Sequence, residues 1–97
     1  MIRVEIIANQ SVEDDIKENL HGYLPDLEYT VIPGVQGKGK SSSKLGDATW
    51  PELNFLLFSY VDEETAKKIK TVIDAVKNKF PREGISVFFT EALEFNS

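Results

Sequence analysis

The chain has 97 residues, of which 41% are hydrophobic and 28% are charged, with a net charge of −5 and no cysteine. This length corresponds to one domain, spanning residues 1–97, and the composition is that of a folded protein. The lack of cysteine excludes a disulfide framework and a thiolate metal site. The acidic balance argues against general nucleic-acid binding, which depends on lysine and arginine. No basic leader or long apolar run is visible, so we expect a cytoplasmic protein that does not insert into a membrane.

The first third of the chain shows a strand pattern followed by a helix pattern. Residues 1–8 alternate apolar and polar side chains, which predicts a strand with one buried face. Ser11 is the predicted N-cap of a helix that ends before Pro25. The apolar residues of this helix recur at helical spacing and are Val12, Ile16, Leu20, Tyr23 and Leu24.

A second strand and a long loop follow. Residues 27–32 are β-branched and aromatic and predict a strand that stops at Pro33-Gly34. Residues 34–52 show no periodicity and are rich in glycine, serine and lysine, which predicts a long loop of a kind that is often functional. Residues 34–46 carry a net charge of +3, whereas the remainder of the chain carries −8.

The last part of the chain repeats the strand and helix order. Residues 53–61 predict a strand with apolar side chains on both faces, and residues 85–90 predict the final strand. Asp62 is the predicted N-cap of the helix between them, which ends before Pro81. Its predicted buried stripe consists of Ala66, Ile69, Val72, Ile73, Val76 and Phe80.

The order βαββαβ predicts an α+β, ferredoxin-like fold, in which two helices cover one face of a four-stranded antiparallel sheet. The first and third strands should be central, and the opposite face of the sheet should be polar. That face is instead rich in apolar residues, so we expect other copies of the chain to cover it in a closed homo-oligomer. The alternative is a monomer with a few exposed apolar side chains. The residues concerned are Ile7, Leu56, Phe58, Tyr60 and Phe88.

Residues 34–41, with the sequence GVQGKGKS, match the phosphate-binding P-loop pattern G-x-x-x-x-G-K-S. A working P-loop lies in a parallel sheet and needs a helix that starts at its Lys-Ser pair. Poor helix formers follow Lys40, so we interpret the match as a coincidence. The same glycines still permit close backbone approach, and the lysines still attract anions. The segment is therefore either a site for an anionic ligand or acidic partner, or a solvated hairpin.

The order of elements, the long loop and the run Gly37-Lys38-Gly39-Lys40 at its base resemble a small, divergent member of the PII (GlnB-like) signal-transduction superfamily. The resemblance covers nearly the whole chain in topology and a few residues in motif. It implies a homotrimer whose sheets face one another in the interior. It also implies a protruding T-loop that contacts target proteins, and effector sites in the clefts between subunits, where adenine nucleotides bind.

The resemblance assigns roles to only a few positions. Gly37 and Gly39 match the G-x-G at the start of the family's loop, and Lys38 or Lys40 would lie near the phosphates of a ligand. The family's glycine-rich turn before the last strand is replaced by residues 80–85, which retain a glycine and offer an arginine as an anion partner. These two residues are Gly84 and Arg82.

The loop itself supplies the candidate partner contacts. We expect residues 36–50, including Lys44 and Trp50, to face a partner protein, with a transporter as one candidate. Trp50 beside Pro51 either docks on a ligand or partner, or anchors the base of the loop to the body of the domain, which is the commoner role of such a residue. The loop contains no tyrosine and so lacks the family's usual uridylylation site.

Two further classes of function compete with a regulatory binding protein. Residues 29–35 resemble the divalent-cation tolerance proteins, which makes divalent-metal binding the alternative function. His21 is more typical of a surface residue than of a ligand, and Asp47 with Glu52 would be a weak hard-cation site, so no metal ligands are assigned. No nucleophile and base occur at a supporting spacing, so we do not expect an enzyme. A plain oligomeric scaffold is the remaining alternative.

Overall fold

The computed structural model describes residues 1–38 and 53–95. The described strands form one antiparallel sheet in the order β2-β3-β1-β4, so β1 and β3 are central as predicted. Two helices complete the ferredoxin-like βαββαβ arrangement, which confirms the predicted fold class. The elements are β1 (Ile2–Asn9), a short 3-10 turn (Gln10–Val12), α1 (Glu13–Tyr23), β2 (Thr30–Gln36), β3 (Leu53–Val61), α2 (Glu63–Lys79) and β4 (Ile85–Glu91).

Both helices cover the same face of the sheet. Alternate residues of the two central strands are buried there, such as Ile6 on β1 and Phe55 on β3, because successive side chains of a strand point to opposite faces. The predicted helical stripes are confirmed except at Tyr23, which is 74% exposed at the end of α1. The buried helix-side residues in this core are Val12, Ile16, Leu20, Ala66, Ile69, Val72, Ile73 and Val76.

The N-cap of α2 is the one that the sequence predicts. The Asp62 side chain accepts a hydrogen bond of 2.7 Å from the backbone N–H of Thr65. Hydrogen bonding by Thr65 to this carboxylate lowers the pKa of Asp62 below its ordinary value of 3.8. Glu63 and Glu64 occupy the first turn, where negative charge complements the helix dipole.

The predicted cap of the first helix is wrong, because the N-cap of α1 is Val12, which makes no side-chain cap hydrogen bond, and the side-chain cap belongs to the 3-10 turn before it. Asn9, at the end of β1, accepts a hydrogen bond of 2.9 Å from the backbone N–H of Ser11 through its side chain. Ser11 therefore lies inside the 3-10 turn, and α1 begins only at Glu13. Asparagine and serine are equally good cap residues, so residue type alone did not distinguish Asn9 from Ser11.

The bounds predicted for the second strand are also wrong. β2 runs through Pro33 and Gly34 to Gln36, with an irregular register between Ile32 and Val35 and a φ of 66° at Gly34. β2 is an edge strand, where a proline can be accommodated because one side of the strand donates no ladder hydrogen bonds. The first residues of the P-loop-like run therefore belong to an antiparallel strand. The loop begins at residue 37 rather than 34, and residues 39–52 lie outside the described part.

Residues 27–29, predicted as strand, instead lead into β2. Leu27 donates its backbone N–H to the carbonyl of Leu24 at 3.0 Å in a turn. The hydroxyl of Ser59 on β3 donates to the carbonyl of Glu28 at 2.5 Å, and Ser59 is buried. A side chain thus satisfies the backbone here in place of a ladder bond.

Neither described helix is both long enough and apolar enough to cross a membrane.

Candidate functional site

The predicted site residues that the structure describes lie at one end of the sheet, where β1 and β2 finish and β3 and β4 begin. We call this the loop end. Asn9 of β1 pairs with Asn54 of β3, and Asn54 in turn pairs with Val35 of β2. On the other side of β1, the N–H of Asn9 donates to the carbonyl of Gly84 at 3.1 Å. The ends of all four strands therefore form one row.

Within this row, the predicted residues occupy opposite edges of the sheet. Gly37 and Lys38 follow β2, whereas Arg82 and Gly84 precede β4. Three strand spacings separate these edges, a width of about 14 Å at about 4.8 Å per spacing. The backbones of the two edges are therefore too far apart for a single phosphate or carboxylate group to touch both within one chain. The other predicted residues, Gly39, Lys40, Lys44 and Trp50, lie outside the described part of the chain.

At the β2 edge, Gly37 lies against the side chain of Asn54. A Cβ atom at residue 37 would collide with the carboxamide nitrogen of Asn54. Asn54 is half-buried at the start of β3, and its side chain makes no hydrogen bond to the residues that the structure describes. Lys38, the next residue, is exposed. This edge therefore offers a close backbone approach, a carboxamide and a cation.

At the β4 edge, basic residues lie at the end of α2 and in the turn that follows, where Glu83 is next to Arg82. Arg82 is exposed in this turn, and Lys77 and Lys79 lie in the last turn of α2 just before it. A Cβ atom at residue 84 would meet no other atom within 4 Å, so no close contact requires a glycine there. Its described contact is made by its carbonyl, which accepts from Asn9. Arg82 is thus the residue of this edge that suits an anion.

The face of the sheet opposite the helices, which we call the open face, is largely apolar in the central strands. Leu56 and Phe58 on β3 are half-buried, whereas Phe88 on β4 and Ile32 on β2 are 53% and 45% exposed. Leu56 pairs with Ile32, whereas Glu5 of β1 lies between Phe58 and Phe88. The prediction that the sheet is apolar on both faces is confirmed, and this face has no cover within the described part of one chain.

Two charged side chains of β1, Arg3 and Glu5, lie on the open face, and their contacts were not evident from the sequence pattern. The guanidinium carbon of Arg3 lies 4.4 Å from the ring centre of Phe58, and its Nη1 donates to the hydroxyl of Tyr60 at 2.8 Å. Its Nη2 lies 3.0 Å from Oε2 of Glu5. Hydrogen bonds to Glu5 and then to Tyr60 raise the pKa of Arg3 further above its usual value. The Arg3–Glu5 spacing of two residues is the only sequence signal of this cluster.

A cleft on the described surface lies at the other end of the sheet. Its volume is about 400 Å³, and its walls come from residues 23–28 and 60–65. None of the predicted site residues lines it. Within residues 1–38 and 53–95, no group of three or more histidine or acidic side chains is arranged to hold a metal ion, and His21 is exposed. The described residues therefore give no support to the metal-binding alternative, and Asp47 and Glu52 lie outside them.

Comparison with known proteins identifies the fold. No family model matches the sequence, and no curated protein matches it significantly. Among solved structures, CPII from Thiomonas intermedia K12, a nitrogen regulatory PII-like protein bound to ADP, AMP and bicarbonate, superimposes with a TM-score of 0.69 at 16% identity. That match covers 99% of this chain and 93% of CPII.

A second PII-like protein gives the same result. A PII-like signalling protein from Thermus thermophilus matches with a TM-score of 0.63 at 22% identity, over 92% of this chain and 83% of its own. The apo form of CPII matches with a TM-score of 0.58 at 13% identity, over 92% of this chain and 87% of its own. At these identities the comparison establishes the fold: this chain has the fold of the PII-like proteins, as its sequence resemblance predicts.

Proposed function

We propose that this chain is a cytoplasmic PII-like regulatory protein that forms a homotrimer and binds a small anionic effector in the clefts between subunits. The observation that carries the proposal is the division of the loop end between two edges. Lys38 lies at the β2 edge and Arg82 at the β4 edge, about 14 Å apart by strand spacing. Placing the β2 edge of one copy beside the β4 edge of the next would bring both cations to one compact anion.

The open face supports the same assembly. Apolar side chains such as Phe88 and Ile32 are about half exposed, and packing of three such faces against one another would remove them from water. Closed rotational symmetry would bring each β2 edge to a neighbouring β4 edge, since every subunit presents the same two edges. One arrangement therefore covers the open face and completes the effector site.

The chemistry of the two edges favours an anion. Lys38 and Arg82 are exposed cations, and the Asn54 carboxamide, which lies against Gly37, adds a hydrogen-bonding group at the β2 edge. The PII-like neighbour CPII is bound to ADP, AMP and bicarbonate, so an adenine nucleotide is the first effector to test. Gly39, Lys40 and Gly84 would complete the binding residues.

The proposed activity is regulated binding rather than catalysis. Effector binding at the base of residues 36–50 would change the conformation of that segment and hence the partner that it engages. Lys44 and Trp50 would contact the partner protein, for which a transporter is the first candidate. The neighbour from Thermus thermophilus, a signalling protein by description, supports a role of this kind.

Mixed assemblies test the division of the site between copies. In calorimetric titrations with ATP, ADP, AMP and bicarbonate, Lys38→Ala and Arg82→Ala should each weaken binding by about 10- to 100-fold, as expected for loss of a charge-assisted hydrogen bond. Mixing and exchanging the two variants should restore tight sites, because some interfaces then combine an intact Lys38 with an intact Arg82. Lys68→Ala, an exposed lysine near the start of α2, is the matched control and should change nothing.

The outcomes separate the alternatives. Loss of binding without recovery on mixing would place both cations in the same copy and contradict the proposed cleft. Absence of nucleotide and bicarbonate binding together with tight copper or zinc binding would favour a metal-handling protein. Light scattering should give a mass of about three times the 10.9 kDa chain, and a single-chain mass at micromolar concentration would overturn the assembly.

A further inference from the structure

The side chain of Asn54 is a polar group without a partner in the described part of the chain. Asn54 is half-buried, and its carboxamide makes no hydrogen bond to residues 1–38 or 53–95. No side-chain nitrogen or oxygen of these residues is both fully buried and unpaired, so the carboxamide still reaches the surface. Polar groups that folding partly removes from water usually have a partner, and an open carboxamide can take that partner from a ligand.

Gly37 leaves the space that this carboxamide occupies. A Cβ atom at residue 37 would collide with the carboxamide nitrogen of Asn54. The backbone does not require glycine at residue 37, because Gly34 is the only glycine of the described part with a positive φ. The contact with Asn54 is therefore the steric reason for a glycine there. A larger residue would turn the carboxamide away, since the carboxamide is the end of a flexible side chain.

Apolar side chains lie beside the carboxamide on the open face. Because Phe55 points into the core, Asn54 and Leu56 point to the open face. Val35 of β2 pairs with Asn54, and both Val35 and Leu56 are half-buried. A ligand at this position would therefore meet an apolar surface with one placed carboxamide, a combination typical of sites for small organic molecules.

Asn54 and Lys38 are the polar groups of this position that are open to a ligand. Asn9 of β1 also pairs with Asn54, but its side chain accepts a hydrogen bond from the backbone N–H of Ser11. Lys38 follows Gly37 directly, is exposed, and has no ion-pair partner among the described residues. The β2 edge therefore presents a carboxamide and a cation one residue from the contact that fixes it.

We propose that Asn54 recognises the base of an adenine nucleotide whose phosphate is bound by Lys38. A carboxamide donates through its nitrogen and accepts through its oxygen, which matches the adjacent donor and acceptor on the edge of adenine. A bare anion such as bicarbonate would contact the cations and leave the apolar surface uncovered. The inference rests on the effector site proposed above, and it selects a nucleotide among the effectors named there.

Two ligands that differ in one group of the base test this role. AMP carries the 6-amino donor of adenine, and purine riboside 5′-monophosphate lacks it. We expect the natural chain to bind AMP about 10-fold more tightly in calorimetric titrations, and Asn54→Ala to bind the two ligands equally. The ratio of affinities reports the contact with the base, whereas general damage to the site would weaken both ligands together. Asn19→Ala is the matched control, because Asn19 lies on α1 and donates to the carbonyl of Asp15 at 2.7 Å.

Gly37→Ala tests how the carboxamide is positioned. The added methyl group should displace the carboxamide of Asn54 and so reduce the preference for AMP. In the Asn54→Ala background the displaced atoms are absent, so Gly37→Ala should have no further effect on the preference. The circular dichroism spectra of all variants should match that of the natural chain, since neither residue belongs to the buried core.

The results separate this inference from the proposed function. A preference for AMP that disappears in Asn54→Ala and in Gly37→Ala, and persists in Asn19→Ala, supports the inference. Equal binding of the two nucleotides by the natural chain, a preference that survives Asn54→Ala, or binding of bicarbonate alone overturns it and leaves the effector site in place. Absence of binding of AMP, purine riboside 5′-monophosphate and bicarbonate overturns both.

Discussion

Phe88 lies on the open face of β4 with 53% of its surface exposed, and replacing it by serine should weaken association while leaving the fold intact. Complete burial of a phenylalanine side chain contributes about 1.5–3 kcal/mol. About half of that remains to be gained when the face is covered, or about 1 kcal/mol per chain. Over three copies the loss is about 3 kcal/mol, which lowers the association constant of a trimer by about 100-fold.

Sedimentation equilibrium over a range of protein concentrations measures this change directly. Phe88 is not part of the buried core, so the far-ultraviolet circular dichroism spectrum of Phe88→Ser should match that of the unsubstituted chain. Tyr23→Ser is the matched control, because Tyr23 is 74% exposed at the end of α1 and away from the open face. Equal association of Phe88→Ser and the natural chain, or equal weakening by Tyr23→Ser, would refute the reasoning.

Three further predictions concern the single chain and are measured by urea unfolding at a fixed protein concentration. Gly34→Ala should lower the free energy of unfolding by about 1–2 kcal/mol, because Gly34 has a φ of 66° that an alanine adopts only with strain. Gly22→Ala should raise the free energy of unfolding by about 0.5–1 kcal/mol, because glycine is unfavourable inside a helix such as α1. Effects of the same sign would contradict this. Leu57 is in the core, so Leu57→Ala should lower the free energy of unfolding by about 2–5 kcal/mol. Leu53 is partly exposed, so Leu53→Ala should lower it by only about 1 kcal/mol. Equal losses would argue against the described burial. The pKa of Asp62 is lower in the folded chain, so the ionised cap stabilises the protein at pH values above the ordinary pKa of 3.8, and this stabilisation is lost as the pH falls through the folded-state pKa. Any advantage of the natural chain over Asp62→Asn should therefore vanish in acid. A stability difference that does not change with pH would contradict the assignment.

Local patterns predicted the elements whose side chains follow one clear period. β3 has the predicted bounds, and α2 starts at its predicted cap, because Asp62 precedes a long apolar stripe without a competing signal. β2 was misread because Pro33 and Gly34 normally end a strand. Its position at the sheet edge, with an irregular register, allows both residues, and no local pattern reports which strand lies at an edge.

The candidate site was predicted residue by residue but not as a geometry. The sequence indicated that Lys38 and Arg82 suit an anion, since charge and glycine content are local properties. The predicted strand order already implied that they lie at opposite edges of the sheet, and the structure confirms that order. The sequence did not show that Gly37 contacts Asn54, a residue seventeen positions away in the chain.

The sequence predicted the order of elements, and with it the fold class, and it predicted that β3 is apolar on both faces. These features depend on the spacing of apolar side chains over a few neighbouring residues, which the sequence shows directly. The folded arrangement was needed to show the register between neighbouring strands, and therefore that Arg3 stacks on Phe58. Such contacts join residues far apart in the chain, and their free energy exists only after the backbone has closed the loops between them.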